Sequence, residues 1–336
     1  MDNNKPTVAL SASKIKTLQT CSWLYHCNYE IKLPQGSNDG ARRGSCVHEI
    51  LELLTKNRHK KYIDLIASAE QPCEVKAIEK LMTAKFKKLE LEKVEPVKPL
   101  SGKVSNETNW DCVWNMLKFT IQKEYLDIGD KKIIHSEYEF DMENESPRYK
   151  VRGFIDRLSE EDGVIEILDF KGSARKFKGD EESSNVQAMI YSLVARKIWK
   201  HYKRYRANFF FMRFKKDPYQ CNEFSDEELK GFESYLEYVT EIIENFDSKT
   251  AVSNMASESK EKSWLCGRGK WQCPYKKPFF FFVVEDEAGK QLSSHLSHKE
   301  AEEAALKIKD KKVNIEMKHY HGCPSWKTLD SDENPF

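Results

Sequence analysis

The stretch from residue 132 to 173 constrains this chain more than any other. KIIHSEYEFDM (132–142), YKVRGFIDRLS (149–159) and GVIEILDFKGS (163–173) are enriched in β-branched and aromatic residues and partly alternate, which reads as three strands. Glu161-Asp162-Gly163 stands between the second and third runs and predicts a hairpin turn. The period then changes. Residues 185–204 carry Ala188, Tyr191, Leu193 and Val194 at helical spacing, RANFFFMRF (206–214) is a further strand, and residues 225–246 form an amphipathic helix with an acidic first turn that suits its dipole.

Before this core, residues 8–30 read as one helix that Ser11 or Ser13 can cap, with Ile15, Leu18, Leu24 and Tyr25 on its apolar stripe. LPQGSNDGARRG (33–44) is rich in turn formers and reads as a loop, followed by a helix over 45–54. Residues 60–130 look like several Lys/Glu-rich helices broken near Pro96 and Pro99. From about 277 a strand, a short strand, a helix (298–309) and a strand (312–318) make a smaller unit. The expected division is a main domain over 1–276, with a helical insertion at about 55–130, and a C-terminal α+β appendage over 277–336.

With 39% hydrophobic and 12% aromatic residues, the chain can bury a real core. Its richest apolar run, PFFFFVV (278–284), is too short to span a bilayer, and the N-terminus lacks an apolar signal core, so a cytoplasmic protein without a membrane partner is expected. Fifty-five basic against 54 acidic residues give a net charge of +1, so any polyanion site must come from local clustering. Nine dispersed cysteines argue for reduced thiols rather than a disulfide framework.

Hydrolysis of a phosphodiester by a metal ion needs hard oxygen ligands and a nearby cation. Asp156 in the second strand and Asp169 in the third flank the hairpin turn and can converge on one ion. Lys171, two residues after Asp169, points to the same face by strand period. His48, on the helix after Gly44, can add an imidazole. Each alone has a bland reading, as a solvated strand aspartate or a packed helical histidine. Their order makes the case.

That order resembles a known family. G-F-I-D (153–156) followed by I-L-D-F-K-G-S (167–173) is similar to the PD-(D/E)XK nuclease core in its RecB/Cas4-like form. G-S-C-V-H (44–48), Gln187-x-x-x-Tyr191 and L-S-A-S-K-I-K-T-L-Q-T-C (10–21) match that branch's other motifs, so the resemblance covers residues 10–191 and, more weakly, runs to about 275. It implies an α/β fold with a central mixed sheet flanked by helices. It also implies that His48, Asp156 and Asp169 bind Mg²⁺ or Mn²⁺, with the Phe170 carbonyl as a further candidate ligand. Lys171 would position or activate the attacking water. Gln187 and Tyr191 would orient the site or touch the DNA strand, although helix-to-sheet packing with a hydrogen bond explains them equally well. Glu137, on the first strand, is a supporting acidic candidate behind the ligands.

The implied activity is metal-dependent DNA hydrolysis, as an exonuclease on single-stranded or end-bearing DNA in recombination, repair or phage DNA metabolism. A structure-specific or nicking endonuclease of the same fold, and a non-catalytic DNA-binding recombination scaffold, are the alternatives. No G-x-x-x-x-G-K-[ST] occurs, so an unwinding partner, whether helicase or recombination protein, would be a separate chain.

Two further groups complete the reading. Residues 197–216 hold eight Lys/Arg, seven aromatics and no acidic residue, a mixture that suits single strands. Lys200, Lys203 and Arg204 are its candidate phosphate contacts, and Arg175, Lys176 and Lys178 follow directly after Lys171. A helix C-terminus and a solvated loop account for these cations as well.

Several relatives of this branch hold a [4Fe–4S] cluster between one cysteine on the opening helix and three near the end of the nuclease region. Cys21, Cys266 and Cys273 are the candidates here, but Cys266 and Cys273 are separated by six residues rather than two, and Phe279 stands where a last cysteine is expected. Cubane ligation needs four thiolates or close substitutes. Cys323 completes the set only if the C-terminal segment folds back, so the expectation is a protein without a cluster, with Cys21 and Cys273 as small buried hydrophobes.

Overall fold

The computed structural model describes residues 7–36, 38–98, 100, 106–126, 131–143, 148–266, 273–309 and 311–326. Expectations that fall on Pro99 or on residues 267–272 lie outside these. Along the chain run β1 (Val8–Leu10), α1 (Ala12–Thr20), α2 (Ser22–Tyr25), α3 (Asp39–Thr55), α4 (Lys61–Ser68), α5 (Lys76–Lys88) and α6 (Asn109–Ile121). Then come β2 (Lys132–Glu143), β3 (Tyr149–Glu161), β4 (Val164–Lys171), α7 (Asp180–Ser183), α8 (Val186–Ile198), β5 (Arg204–Phe211), β6 (Tyr219–Asn222) and α9 (Asp226–Glu244). The chain ends with α10 (Ser248–Ala251), β7 (Phe279–Asp286), β8 (Gln291–His295), α11 (His298–Ala305) and β9 (Val313–Tyr320).

Two compact units result, and their boundary at Glu237/Tyr238 falls inside α9. The first comprises Met1–Ala9 and Ser37–Glu237 and is built on a six-stranded sheet in the order β1-β3-β4-β5-β6, with β2 also paired to β3. The expected hairpin is there: Asp162 and Gly163, with φ of 51° and 76°, join the Glu161↔Val164 pair in the left-handed conformation that a two-residue turn demands. β4 and β5 are parallel across the α8 connection, whereas β2–β3, β3–β4 and β5–β6 are antiparallel, so the sheet is mixed. On one face Leu168, Phe170 and Phe210 pack against Val47, Ile50 and Leu51 of α3, Met82 and Phe86 of α5, and Val113, Met116 and Leu117 of α6. α8 packs on β4 and β5. β6 went unread in the sequence because four residues carry too little periodic signal.

The N-terminal reading needs correcting at two points. Residues 8–30 are not one helix: Val8–Leu10 is a strand whose Val8 amide donates to the Arg148 carbonyl at 2.8 Å, and α1 starts only after Ser11, whose hydroxyl accepts the Lys14 amide. Cys21 then adopts extended dihedrals (φ −160°, ψ 116°) and separates α1 from α2. Nor is 33–44 wholly a loop. Asn38 caps α3 by accepting the Ala41 amide at 3.0 Å, and the acidic Asp39 favours that terminus, so Gly40 and Gly44 lie within the helix.

The second unit comprises Leu10–Gly36 and Tyr238–Phe336. Its sheet, in the order β8-β7-β9, is antiparallel. Compactness therefore divides the chain differently from a boundary at 276/277. The physical reason is the core: Phe281 and Val283 of β7 and Tyr320 of β9 are buried with Trp23, Cys27 and Leu33 of the opening segment. The Tyr320 hydroxyl accepts the Trp23 indole N–H at 2.8 Å and donates to the Tyr275 carbonyl at 3.0 Å, so its hydrogen bonds are satisfied where it is buried. Among the described residues no helix is long and apolar enough to cross a membrane.

Candidate active site

The β3–β4 ladder pairs Arg157 with Leu168 and extends no further towards Asp156 and Asp169. Both carboxylates are buried, at 8% and 5% exposure, where uncompensated charge is costly. Asp156 Oδ2 accepts the Phe170 amide at 2.6 Å, satisfying a backbone donor where the two strands no longer pair. Asp156 Oδ1 lies 3.4 Å from His48 Nδ1. His48 Nε2 is 2.9 Å from the Phe170 carbonyl, which can only accept, so Nε2 carries a proton and Nδ1 faces the carboxylate.

α3 can bring this histidine close because of two glycines. A Cβ on Gly172 would stand 3.5 Å from Gly44 Cα, and His48 follows Gly44 by one helical turn.

On the other side, α8 supplies Gln187 and Tyr191, one turn apart. Asn185 caps that helix by accepting the Gln187 and Ala188 amides. Gln187 Nε2 donates to Asp169 Oδ1 at 2.7 Å, and its Oε1 accepts from Lys171 Nζ at 2.8 Å, so one amide orders both residues. The Tyr191 hydroxyl donates to the Phe154 carbonyl at 2.5 Å and lies 3.2 Å from Asp169 Oδ1. Lys171 Nζ stands 2.7 Å from Asp169 Oδ2, yet that oxygen is buried without accepting an aligned hydrogen bond. A buried carboxylate oxygen with spare acceptor capacity suits an electropositive ion.

β2 contributes the residue that sequence reasoning placed too far back. Ser136↔Arg157 and Tyr138↔Ile155 bracket the register so that Glu137 stands opposite Asp156. Its φ of 51° is unusual for a non-glycine residue and marks local strain. Ligand atoms of His48, Glu137 and Asp156 all lie within 4.8 Å of one another. Glu137 therefore stands among the candidate ligands rather than behind them. The available signal was its place across the sheet from Asp156, visible only once the register is known.

Electrostatics express the same crowding. Burial and then Asp156 raise the Glu137 carboxyl to about 7. Burial raises Asp169 as well, against the pull of Lys171. At His48 burial opposes the charge, but Asp156 and Asp169 overcome it and hold the imidazolium up to about 9. Glu52, one turn after His48 on α3, adds further negative charge at Glu137 and was not singled out from the sequence. Three carboxylates and one imidazole thus share too little positive charge, and a divalent cation with oxygen and nitrogen ligands would relieve it.

His48, Glu137, Asp156, Asp169, the Phe170 carbonyl, Lys171, Gln187 and Tyr191 are therefore brought together. Lys200, Lys203 and Arg204 are not. Arg204 pairs with Val164 and Phe209 with Asp169, which puts Arg204 about 17 Å away along the sheet at ~3.3 Å per residue. Arg204 is also bound to Glu223, at 2.9 and 3.0 Å. Lys176 pairs with Asp217 at 2.6 Å, while Arg175 is exposed on the segment after β4.

In the second unit, Cys21, Cys266, Cys273 and Cys323 line a single cavity. The condition stated for Cys323, that the C-terminal segment folds back, is met: the chain after β9 places it in the same cavity as the other three.

The family model described as the PD-(D/E)XK nuclease superfamily matches residues 9–277. Among solved structures, the chain is similar to a crystal structure from Eubacterium rectale with a provisional exonuclease assignment. That likeness has a TM-score of 0.43 and 11% identity, and covers 79% of this chain and 90% of the other. No curated protein matches it significantly.

Proposed function

Because the chain belongs to the PD-(D/E)XK nuclease superfamily, we propose that the site at the end of the β3–β4 ladder hydrolyses DNA phosphodiesters with Mg²⁺ or Mn²⁺. The observation that carries this reading is the meeting of His48, Glu137 and Asp156 within 4.8 Å, with Asp169 and Lys171 alongside. His48 Nδ1, the three carboxylates and the Phe170 carbonyl would hold the ion. When bound, it supplies Lewis acidity towards the phosphate and an acidified water.

The remaining work falls to the chain's own groups. Gln187 and Asp169 fix the Lys171 ammonium beside the ligands, where it orients the attacking water and offsets charge on the phosphate. Tyr191, anchored to the Phe154 carbonyl, supports Gln187 and limits the rotamers open to Asp169. The donation from His48 to Phe170 fixes which nitrogen faces the ion.

Within the superfamily, the motifs at Gly44–His48 and Gln187–Tyr191 support a RecB/Cas4-like exonuclease acting on single-stranded or end-bearing DNA. We take residues 1–276 as the nuclease domain and 277–336 as its appendage, since the family match ends at 277.

The test incubates the protein with 5′- and 3′-labelled linear and circular DNA, single- and double-stranded, with and without Mg²⁺ or Mn²⁺. Metal-dependent loss of linear but not circular substrate is expected. Cutting of circles would replace the exonuclease with an endonuclease, and binding without cleavage would leave a scaffold.

A further inference from the structure

The first unit carries an aromatic side chain that neither its core nor the metal site uses. Phe154 is 56% exposed, and it is the one exposed phenylalanine of that unit among the described residues. Exposure alone means little, since single apolar side chains are common on surfaces. Its place gives it meaning. Phe154 stands two residues before Asp156 on β3, about 7 Å away at ~3.4 Å per residue. The β2–β3 register is constant from Lys150 to Arg157, so strand period turns Phe154 and Asp156 to one face.

The backbone beneath the ring is held on both sides. On one side Phe154 pairs with Glu139 of β2. On the other its carbonyl accepts the Tyr191 hydroxyl at 2.5 Å, and that hydroxyl lies 3.2 Å from Asp169 Oδ1. One tyrosine thus ties the strand under the ring to the metal site. Gly153 makes room for this: a Cβ there would stand 2.8 Å from the Phe140 ring, which packs in its place and meets Tyr191 edge-on. Charge then decides what the ring can receive. Glu139 is exposed across the ladder from Phe154, which disfavours a phosphate there. An uncharged base meets no such repulsion, and an aromatic face is a stacking surface for it. Two residues further along the same face, Arg152 is exposed. It has no ion-pair partner among the described residues, because the Asp141 carboxylate opposite it is bound to Lys150 at 2.7 Å.

We propose that Phe154 stacks an unpaired DNA base beside the phosphate at the metal site, with Arg152 taking a phosphate further along the same strand. Metal ligand, ring and guanidinium then follow one another at every second residue of β3. Within a duplex, freeing the face of a base costs its unstacking. The ring therefore favours single strands and splayed ends. Every base has a π-face, so the contact selects strandedness without selecting sequence. This inference rests on the nuclease reading and adds to it the residue that sets strand preference.

The test compares KM for a single-stranded oligonucleotide and for a blunt duplex, both with Mn²⁺. Phe154→Leu keeps apolar bulk and removes the π-face. It should raise KM for the single strand about 5- to 100-fold and KM for the duplex by less than about twofold. Phe154→Trp should restore the single-strand value. Leu65→Ala also removes an exposed apolar side chain of the first unit and should match the wild type. Mn²⁺ affinity, read by calorimetry, separates stacking from damage to the neighbouring ligand, and should not move in Phe154→Leu. If that variant fails to fold, the wild type decides: a single abasic nucleotide should slow cleavage only where it adjoins the scissile phosphate. An unchanged single-strand KM in Phe154→Leu, a parallel loss of Mn²⁺ affinity, or an abasic effect independent of position would overturn this inference alone. A wild type that cleaves neither substrate would overturn the nuclease reading with it.

Discussion

The two clusters of this molecule solve opposite problems. At the end of the β3–β4 ladder, oxygen ligands crowd into a partly buried, strongly acidic site, and protons hold it together: Glu137 stays protonated to about 7 and His48 stays charged to about 9. In the second unit, four thiols line a cavity beside Met255 and Trp326, and burial with neighbouring thiols raises Cys273 to about 11 and Cys323 to about 12. Hard divalent ions suit the first set, whereas the thiols of the second are soft donors. Stored repulsion makes the first site ready to take up and exchange a cation. The second is built from distant chain segments, which the buried packing of Trp23, Phe281 and Tyr320 joins.

The largest effect expected from breaking this contrast is on cleavage. Asp156→Asn or Asp169→Asn should lower the rate about 10³-fold or more, since metal-borne charge stabilisation supplies several kcal/mol. Mn²⁺ affinity, read by calorimetry, should fall in parallel. Lys171→Ala should lose cleavage and keep Mn²⁺ binding. A near-wild-type rate in Asp169→Asn would dismantle the site. Cys21→Ser, in the second unit, should leave Mn²⁺ affinity unchanged.

Glu137→Gln probes the stored repulsion directly. The folded-state carboxyl sits at about 7 against an ordinary 4.5, so the folded state holds its proton longer than the unfolded one. Stability of the metal-free wild type should therefore fall as pH rises from about 4.5 to 7 and stay level above. In EDTA at pH 8 the variant should be more stable by about 2 kcal/mol, an upper figure of ~3 being reduced for partial solvent exposure. The gap should close towards pH 4.5, and urea melts at both pH values measure it. An equal gap at the two pH values would remove the repulsion account.

Smaller changes follow. Gln187→Ala frees the Lys171 ammonium without removing a ligand, and should cost about 10–100-fold in turnover with metal affinity little changed. Replacing Lys200, Lys203 and Arg204 together by alanine should change cleavage less than about twofold, because they lie at the far end of β5. A salt-dependence slope of DNA binding that drops by about 0.7 per lost contact would restore them as phosphate contacts.

Much of the first site was legible because its parts are local. Asp162-Gly163 dictates the hairpin, the hairpin places Asp156 near Asp169, and strand period brings Lys171 to the same region. Glu137 was only half legible: its residue type and strand could be read, but its left-handed backbone depends on tertiary packing. The start of α3 was misread because Gly40 and Gly44 imitate a loop, while the capping power of Asn38 outweighs them. The thiol cavity was least legible. Its members come from three stretches more than 40 residues apart in sequence, and no local pattern announces that Gly322 lets the last one in.

The early end of the β3–β4 ladder has one more consequence. At Phe170 the backbone amide is held by a side chain, Asp156, instead of by the opposite strand. Its exchange with deuterated solvent should therefore track the occupation of that carboxylate rather than the opening of the sheet. Amides deeper in the same strand would exchange only on wider unfolding. One resonance thus reports, without substrate or turnover, whether the site is holding an ion.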